Sequence, residues 1–293
     1  MIALANAKVN FTLEVLGVRP DGYHNLKSVV VPVSLADVLT IEPSEKTTLQ
    51  IKDPENLFVG CEATGEDNLV MKAVRLMQRV SGKKDDVSII LEKHIPCGGG
   101  LGGGSADAAS VIKTLNKLWN LRIGDQDLAE ISAEIGSDIP SLVLGGIVLM
   151  EGRGEKVSRI NIERKTDLML VLHNPGVFCS TPKIFSMVKG VSVEGSEVFD
   201  KMVSALEEND VDKISKCLNN DLASAAYKCY PEIAAAAKRL KDAGAIGVSM
   251  TGSGSTVFGI VKNESHAQEV CNKINAHGWT KITKLDKRES MKS

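Results

Sequence analysis

None of the six cysteines (Cys61, Cys97, Cys179, Cys217, Cys229 and Cys271) stands in C-x-x-C spacing. That argues against a zinc site or a dithiol redox centre, and thiols so scattered in a chain of 293 residues read as reduced and intracellular. No apolar run approaches the ~20 residues of a membrane-spanning helix. The first residues show no basic stretch leading into an apolar one, so no signal peptide is expected. Charge of one sign is also missing: 35 Lys and Arg face 37 Asp and Glu, for a net charge of -2. Neither nucleic acid nor an anionic membrane is therefore expected as a partner. Aromatics are scarce, at 4% of residues, so those beside turn motifs stand out. Hydrophobic residues make up 43%, enough for a full core in one large or two ordinary domains.

What the chain has in excess is glycine, at one place. In Gly98-Gly99-Gly100-Leu101-Gly102-Gly103-Gly104, six of seven residues are glycine. Without a Cβ the backbone takes positive φ and can lie flush against a ligand. Successive N–H groups of such a run line a concavity suited to an anion. Ser105 is a good N-cap, and Ala108, Ala109, Val111, Ile112, Leu115 and Leu118 follow at helical spacing. The loop thus empties into a helix N-terminus, where free N–H groups and the macrodipole favour phosphate. A flexible linker is the plain alternative, but linkers are rarely followed at once by a capped apolar helix. A Walker A loop is excluded, because no lysine lies between Lys93 and Lys113. A dinucleotide fold needs an acidic residue ending a second strand ~20 residues on; the chain has Trp119-Asn120-Leu121-Arg122 there. The downstream H-R-D and D-F-G of protein kinases are absent.

Periodicity predicts strands over 2–16 and 29–42, an amphipathic helix over 67–80 and a strand from Val87 to Leu91. Helices follow from Ser105 and over 125–135. The apolar stretch Ser141 to Met150, broken by Gly145-Gly146, reads as a strand pair, and polar residues 152–166 as a boundary. Beyond it come a strand at 168–172, helices near 196–208, 210–218 and 231–243, and two strands around Gly252-Ser253-Gly254. A helix over 265–277 and a strand near 280–285 complete the pattern. The fold class is α+β in two halves, with a ligand cleft between them.

The pattern P-x-G-x-G-L-G-G-G-S-x-D-A-A closely resembles the phosphate loop of the GHMP kinases (galacto-, homoserine, mevalonate and phosphomevalonate kinases). Ala5-Asn6-Ala7-Lys8-Val9-Asn10 resembles that family's first motif, and Thr251 to Phe258 its third. Five further segments resemble the branch that acts on a cytidine diphosphate sugar alcohol: Arg19 to His24, Gly136 to Pro140, Asn174-Pro175-Gly176, Ser180-Thr181-Pro182 and Asn220-Asp221-Leu222. The resemblance implies a ribosomal-S5-like N-terminal domain over 1–160 and a ferredoxin-like C-terminal domain over 161–293. It implies ATP- and Mg²⁺-dependent phosphorylation of the 2-hydroxyl of that sugar alcohol, in isoprenoid precursor synthesis. The enzyme would be cytoplasmic, a monomer or homodimer. Two readings stay open: a kinase for another small alcohol of the homoserine or mevalonate kind, and a catalytically silent nucleotide-binding regulator.

Phosphoryl transfer needs a phosphate cradle, charge compensation and an oriented nucleophile. Asp138 sits at a turn, where a carboxylate can take a proton from a hydroxyl or merely cap a helix. Lys8 lies in an otherwise small and apolar strand, so it is either paired in the interior or an edge residue facing water. The resemblance makes these two the catalytic pair. It places Asn68 and Lys93 near adenine, although each could equally be a solvated surface residue. Pro96, Gly98, Gly99, Gly100, Leu101, Gly102, Gly103, Gly104 and Ser105 complete the ATP site. Tyr23, His24 and Phe185 would grip cytosine, with Asn10 and Thr181 lining the same pocket; the alternative for Tyr23 and Phe185 is ordinary core packing. No metal ligand is assigned, though Ser105 and Asp107 stand where they could organise Mg²⁺ or simply start the helix. Cys97, Ala106 and Phe178-Cys179 depart from the family's usual residues.

Overall fold

The computed structural model describes residues 1–57, 65–162, 167–188, 197–274 and 278–286. The first sheet takes its strands from β1 (Ile2–Val18), β2 (His24–Ser44), β3 (Thr48–Lys52), β4 (Asp86–Glu92), β5 (Val148–Gly152), β6 (Lys156–Arg159) and β8 (Asn219–Asn220). Their order is β3-β4-β2-β1-β8, and β5 and β6 branch from the first part of β2. The second sheet contains β7 (Met169–Asn174), β9 (Gly247–Met250), β10 (Val257–Val261) and β11 (Trp279–Lys284), in the antiparallel order β11-β7-β10-β9.

Helices α1 (Leu69–Ser81), α2 (Gly103–Leu118), α3 (Asp125–Ser132) and α4 (Ile139–Leu144) accompany the first sheet. Between β7 and β9 run α5 (Thr181–Ser186), α6 (Val198–Glu208), α7 (Val211–Cys217), α8 (Ala223–Cys229) and α9 (Pro231–Asp242); α10 (Glu264–Ile274) joins β10 to β11. The second half is thus strand, helices, two strands, helix, strand, the split β-α-β arrangement.

β1 organises the molecule. Its odd residues Ala5 to Val15 are all buried and pass through three apolar clusters in turn. The middle cluster belongs to both sheets, and there Phe11 stacks on Phe258 with ring centroids 6.0 Å apart. The even residues Lys8, Asn10, Thr12 and Glu14 are polar and nonetheless buried. Register against β2 shifts between Asn6 and Lys8 and again between Asn10 and Thr12. Irregularities of this kind re-aim side chains, and these two bracket Lys8 and Asn10.

Two of these expectations fail. The apolar stretch from Ser141 begins inside helix α4, which has Asp138 at its N-cap position without a side-chain capping bond and Pro140 in its first turn; only β5 is a strand. Within the polar stretch 152–166, β6 closes a hairpin with β5, and the second sheet begins after it with β7. Cys97 is disulfide-bonded, against the expectation that the thiols are reduced. Cys179, Cys217, Cys229 and Cys271 are free, and Cys61 lies outside the described residues.

Candidate active site

Helix α2 starts earlier than Ser105. Its N-cap is Gly102, left-handed at φ 71°, and its first backbone bond runs from Ala106 N–H to Gly102 O. The N–H groups of Gly103, Gly104 and Ser105 therefore have no partner within the helix. Gly98 and Gly100 are also left-handed, at φ 64° and 76°. Left-handed residues at every second position turn the loop into a nest of N–H groups above a helix N-terminus. Close packing requires glycine as well: a Cβ on Gly100 would lie 2.1 Å from the Thr251 carbonyl oxygen.

The loop is clamped from the second half of the chain. Thr256 N–H donates to Gly99 O at 3.1 Å, and the Thr251 hydroxyl lies 3.1 Å from Gly100 O. Asn220 Nδ2 holds the carbonyls of Met250 and Gly252, while Asn174 Nδ2 donates to Thr256 Oγ1. The asparagines in two of the quoted segments thus serve as latches for the loops around the site.

Lys8 is 3% exposed, and its ammonium faces the cleft below the loop. Nζ lies 3.5 Å from Asp138 Oδ2 and donates to Asn10 Oδ1 at 2.9 Å. Asn10 Oδ1 also accepts from Gly252 N–H, and Asn10 Nδ2 donates to Ser28 Oγ. Asn10 is fully engaged in fixing Lys8 against the 251–252 turn. The Asp138 side chain remains 36% exposed, open to the cleft.

On the other side of the loop, Lys93 is buried between Asp37 and Asp107, with Asp107 Oδ2 at 2.7 Å. Burial opposes its charge, but the two carboxylates more than compensate and raise its pKa above the ordinary lysine value. Asp37 also accepts the backbone N–H groups of His94 and Ile95. Asp107 Oδ1 has no hydrogen-bond partner. Burial, with Asp37 nearby, pushes Asp107 up to about 8 despite the pull of Lys93. With one ammonium shared by two buried carboxyls, the neutral form of Asp107 is favoured. Its Oδ2 is taken up by Lys93.

The far end of the cleft carries rings. His24 and Phe185 are in contact, centroids 5.1 Å apart, and Tyr23 is 54% exposed. Thr181, at the start of α5, shares a 2.7 Å hydrogen bond with Ser253 Oγ. Cys179 donates its thiol proton to Ser253 O, and burial pushes its pKa up to about 11, so it is a structural thiol. Phe178 stands 59% exposed at the cleft wall.

One cleft of about 1040 Å³, room for two ligands, is lined by seventeen of the eighteen residues assigned above. Leu101 is the exception. Its side chain is buried in the middle cluster, and its carbonyl accepts the Lys8 N–H. Asn68 and Lys93 are not solvated: Asn68 caps α1 by accepting Val70 N–H at 2.8 Å, and both residues are buried. Sequence reading missed Asp37 and Arg153. Asp37 carries no signal in an apolar strand beyond being a charge there, and Arg153 hides in a polar turn.

Residues 68–146 match the GHMP kinases N terminal domain, and 202–278 the GHMP kinases C terminal domain. The chain belongs to the GHMP kinase family, so it is a kinase and uses ATP. It is similar to the 4-diphosphocytidyl-2-C-methyl-D-erythritol kinases of Geobacillus sp. (38% identical; 93% of this chain, 92% of the relative) and Bacillus licheniformis (40%; 92% and 90%). Among solved structures it resembles a 4-(cytidine 5'-diphospho)-2C-methyl-D-erythritol kinase, with TM-score 0.80, 31% identity and coverage of 98% and 100%. A homoserine kinase from Cytophaga hutchinsonii, at 18% identity and TM-score 0.76, shares the fold.

Proposed function

We propose that this kinase transfers the γ-phosphoryl group of ATP to the 2-hydroxyl of 4-diphosphocytidyl-2-C-methyl-D-erythritol, in the cytoplasm. One observation carries the reading: a single cleft joins a phosphate nest, the Lys8–Asp138 pair and an aromatic end. In this reading the nest and the α2 N-terminus hold the nucleotide phosphates. Asp138 accepts the hydroxyl proton, the freed oxygen bonds to the γ-phosphorus, and the bond to the β-phosphate oxygen breaks to release ADP. Lys8 sits where it offsets charge on the transferring group. Tyr23, His24 and Phe185 bind the cytosine, and Asn68 and Lys93 border the adenine.

Magnesium fits this site through the nucleotide. Among the described residues no cluster of three or more metal-binding side chains exists, and Asp107 is committed to Lys93. Ser105 is the residue of this chain that would reach a phosphate-bound ion. Such an ion would neutralise phosphate charge. Among the described residues no helix is long and apolar enough to cross a membrane.

An ADP-release assay across a panel of alcohols tests the proposal. Turnover is expected with the cytidine diphosphate sugar alcohol and not with homoserine or mevalonate. The opposite preference would replace the substrate, and ATP binding without turnover of any alcohol would favour a silent regulator.

A further inference from the structure

We propose that Cys97 is a thiol–disulfide exchange site at the entrance of the phosphate nest, open to a dithiol reductant, and that its disulfide strengthens ATP binding. The inference rests on the proposed seating of the nucleotide phosphates in the nest.

A disulfide is out of place in this chain. Its six cysteines are scattered over 293 residues, and Cys179, Cys217, Cys229 and Cys271 are free; Cys61 lies outside the described residues. A chain of this length that buries three apolar clusters does not depend on a covalent staple to fold. In the cytoplasm proposed for this kinase, a disulfide is as a rule transient, and redox-sensing or catalytic. Cys97 is nonetheless bonded.

Its position ties the bond to the nucleotide. Cys97 stands between Pro96 and Gly98, and Gly98 is the first left-handed residue of the nest, at φ 64°. Gly99 and Gly100 are clamped from the second half of the chain by Thr256 N–H and the Thr251 hydroxyl. The entrance is held from the first sheet. Cys97 N–H donates to Leu57 O at 3.1 Å, and Leu57 N–H donates to Asp53 Oδ1 at 2.8 Å. The disulfide adds a covalent tie at the same residue, so the direction in which Gly98 opens the nest is set before ATP arrives. A site ordered in advance loses less entropy on binding.

The bond is also within reach. Cys97 is half-buried and lines the cleft, so a reductant can approach from the side on which ATP would bind. Burial pushes the Cys179 thiol up to about 11 and raises that of Cys271, which makes both poor exchange partners. In the exchange, a thiolate of the dithiol attacks the S–S bond, and one cysteine sulfur of the chain leaves as a thiolate and takes a proton. The second thiol of the reductant, deprotonated, then displaces the other cysteine sulfur, which is protonated in turn. The chain gains two thiols, and the dithiol is oxidised to its own disulfide.

Calorimetric ATP binding to the wild type equilibrated with oxidised or with reduced dithiothreitol, beside Cys97→Ser, tests this. Alkylation and mass spectrometry report the state of Cys97, and melting curves report folding. The oxidised wild type should bind ATP about 5- to 30-fold more tightly than the reduced one, the scale of ordering one more backbone residue on binding. Cys97→Ser should bind like the reduced wild type and ignore the reductant. Affinity for CDP, a probe of the other end of the cleft, should not follow the redox state. By reciprocity, saturating ATP should protect the disulfide against reduction by the same factor. An ATP affinity equal in both states, or a Cys97 that remains a free thiol under oxidising conditions, overturns the inference. Equal losses for ATP and CDP on reduction would mean that the bond only supports the fold, and would overturn it too. A wild type that binds no ATP in either state would remove the nest's assignment, and this inference with it.

Discussion

Lys8 and Lys93 flank the glycine loop, both nearly buried and both facing carboxylates, yet their surroundings differ in one respect. The partner of Lys8, Asp138, keeps 36% of its side chain exposed, whereas Asp37 and Asp107 around Lys93 are at 0% and 3%. A carboxylate that borders the cleft can meet a substrate hydroxyl. Two buried carboxyls around one ammonium hold the backbone segments that carry them. Those segments are β2, the turn after β4 and the second turn of α2, so the buried cluster ties together the walls on which the phosphate loop rests. The same residue types serve chemistry on one side and architecture on the other, and access to the cleft makes the difference.

The largest effect that would break this contrast belongs to the sealed side. Lys93→Met leaves two buried carboxyls facing each other, and removing one partner of a buried pair costs about 3–5 kcal/mol. Urea unfolding should show a matching fall in midpoint, and a midpoint near that of the wild type would contradict the architectural role. On the open side, Asp138→Asn should lower kcat on the order of 10²-fold or more, the scale of a lost general base. Its unfolding midpoint should hardly move, since the side chain borders solvent; a near-normal rate would remove Asp138 from the mechanism.

A third test concerns Asp107. In the folded protein burial raises its pKa to about 8, whereas an unfolded chain's aspartate titrates near ~3.9. Between those values the folded state holds a proton that the unfolded state has lost, so stability falls as pH rises through the window. Asp107→Asn removes the titration. Unfolding free energy between about pH 5 and pH 8 should slope downward more in the wild type than in the variant. Equal slopes would mean that Asp107 is ionised beside Lys93.

Much of this could be read from local pattern. Helix α1 is legible because Val70, Ala73, Leu76 and Met77 share one face, and the long strands β1 and β2 because of their apolar content. Helix α4 was not legible, since a largely apolar stretch of six residues fits a helix or a strand equally well until packing chooses. Seventeen of the residues assigned from the sequence line one cleft, because motif residues carry their chemistry in type and spacing. The Leu101 side chain lies outside that lining, because a motif does not say which of its side chains face inward. The asparagine latches at Asn174 and Asn220 were quoted as resemblance, and only their contacts gave them a physical reason.

The sequence by itself determined that a glycine-rich loop opens a helix, because backbone freedom and missing side chains are local properties. It also settled that this chain resembles the GHMP kinases, because their motifs are short and ordered. The tertiary structure alone decided which lysine faces a carboxylate exposed to the cleft and which faces two buried ones. Lys8 and Asp138 lie 130 residues apart, as do many pairs that never meet. Burial and charge pairing depend on neighbours brought in from other strands and helices, and no local pattern encodes them.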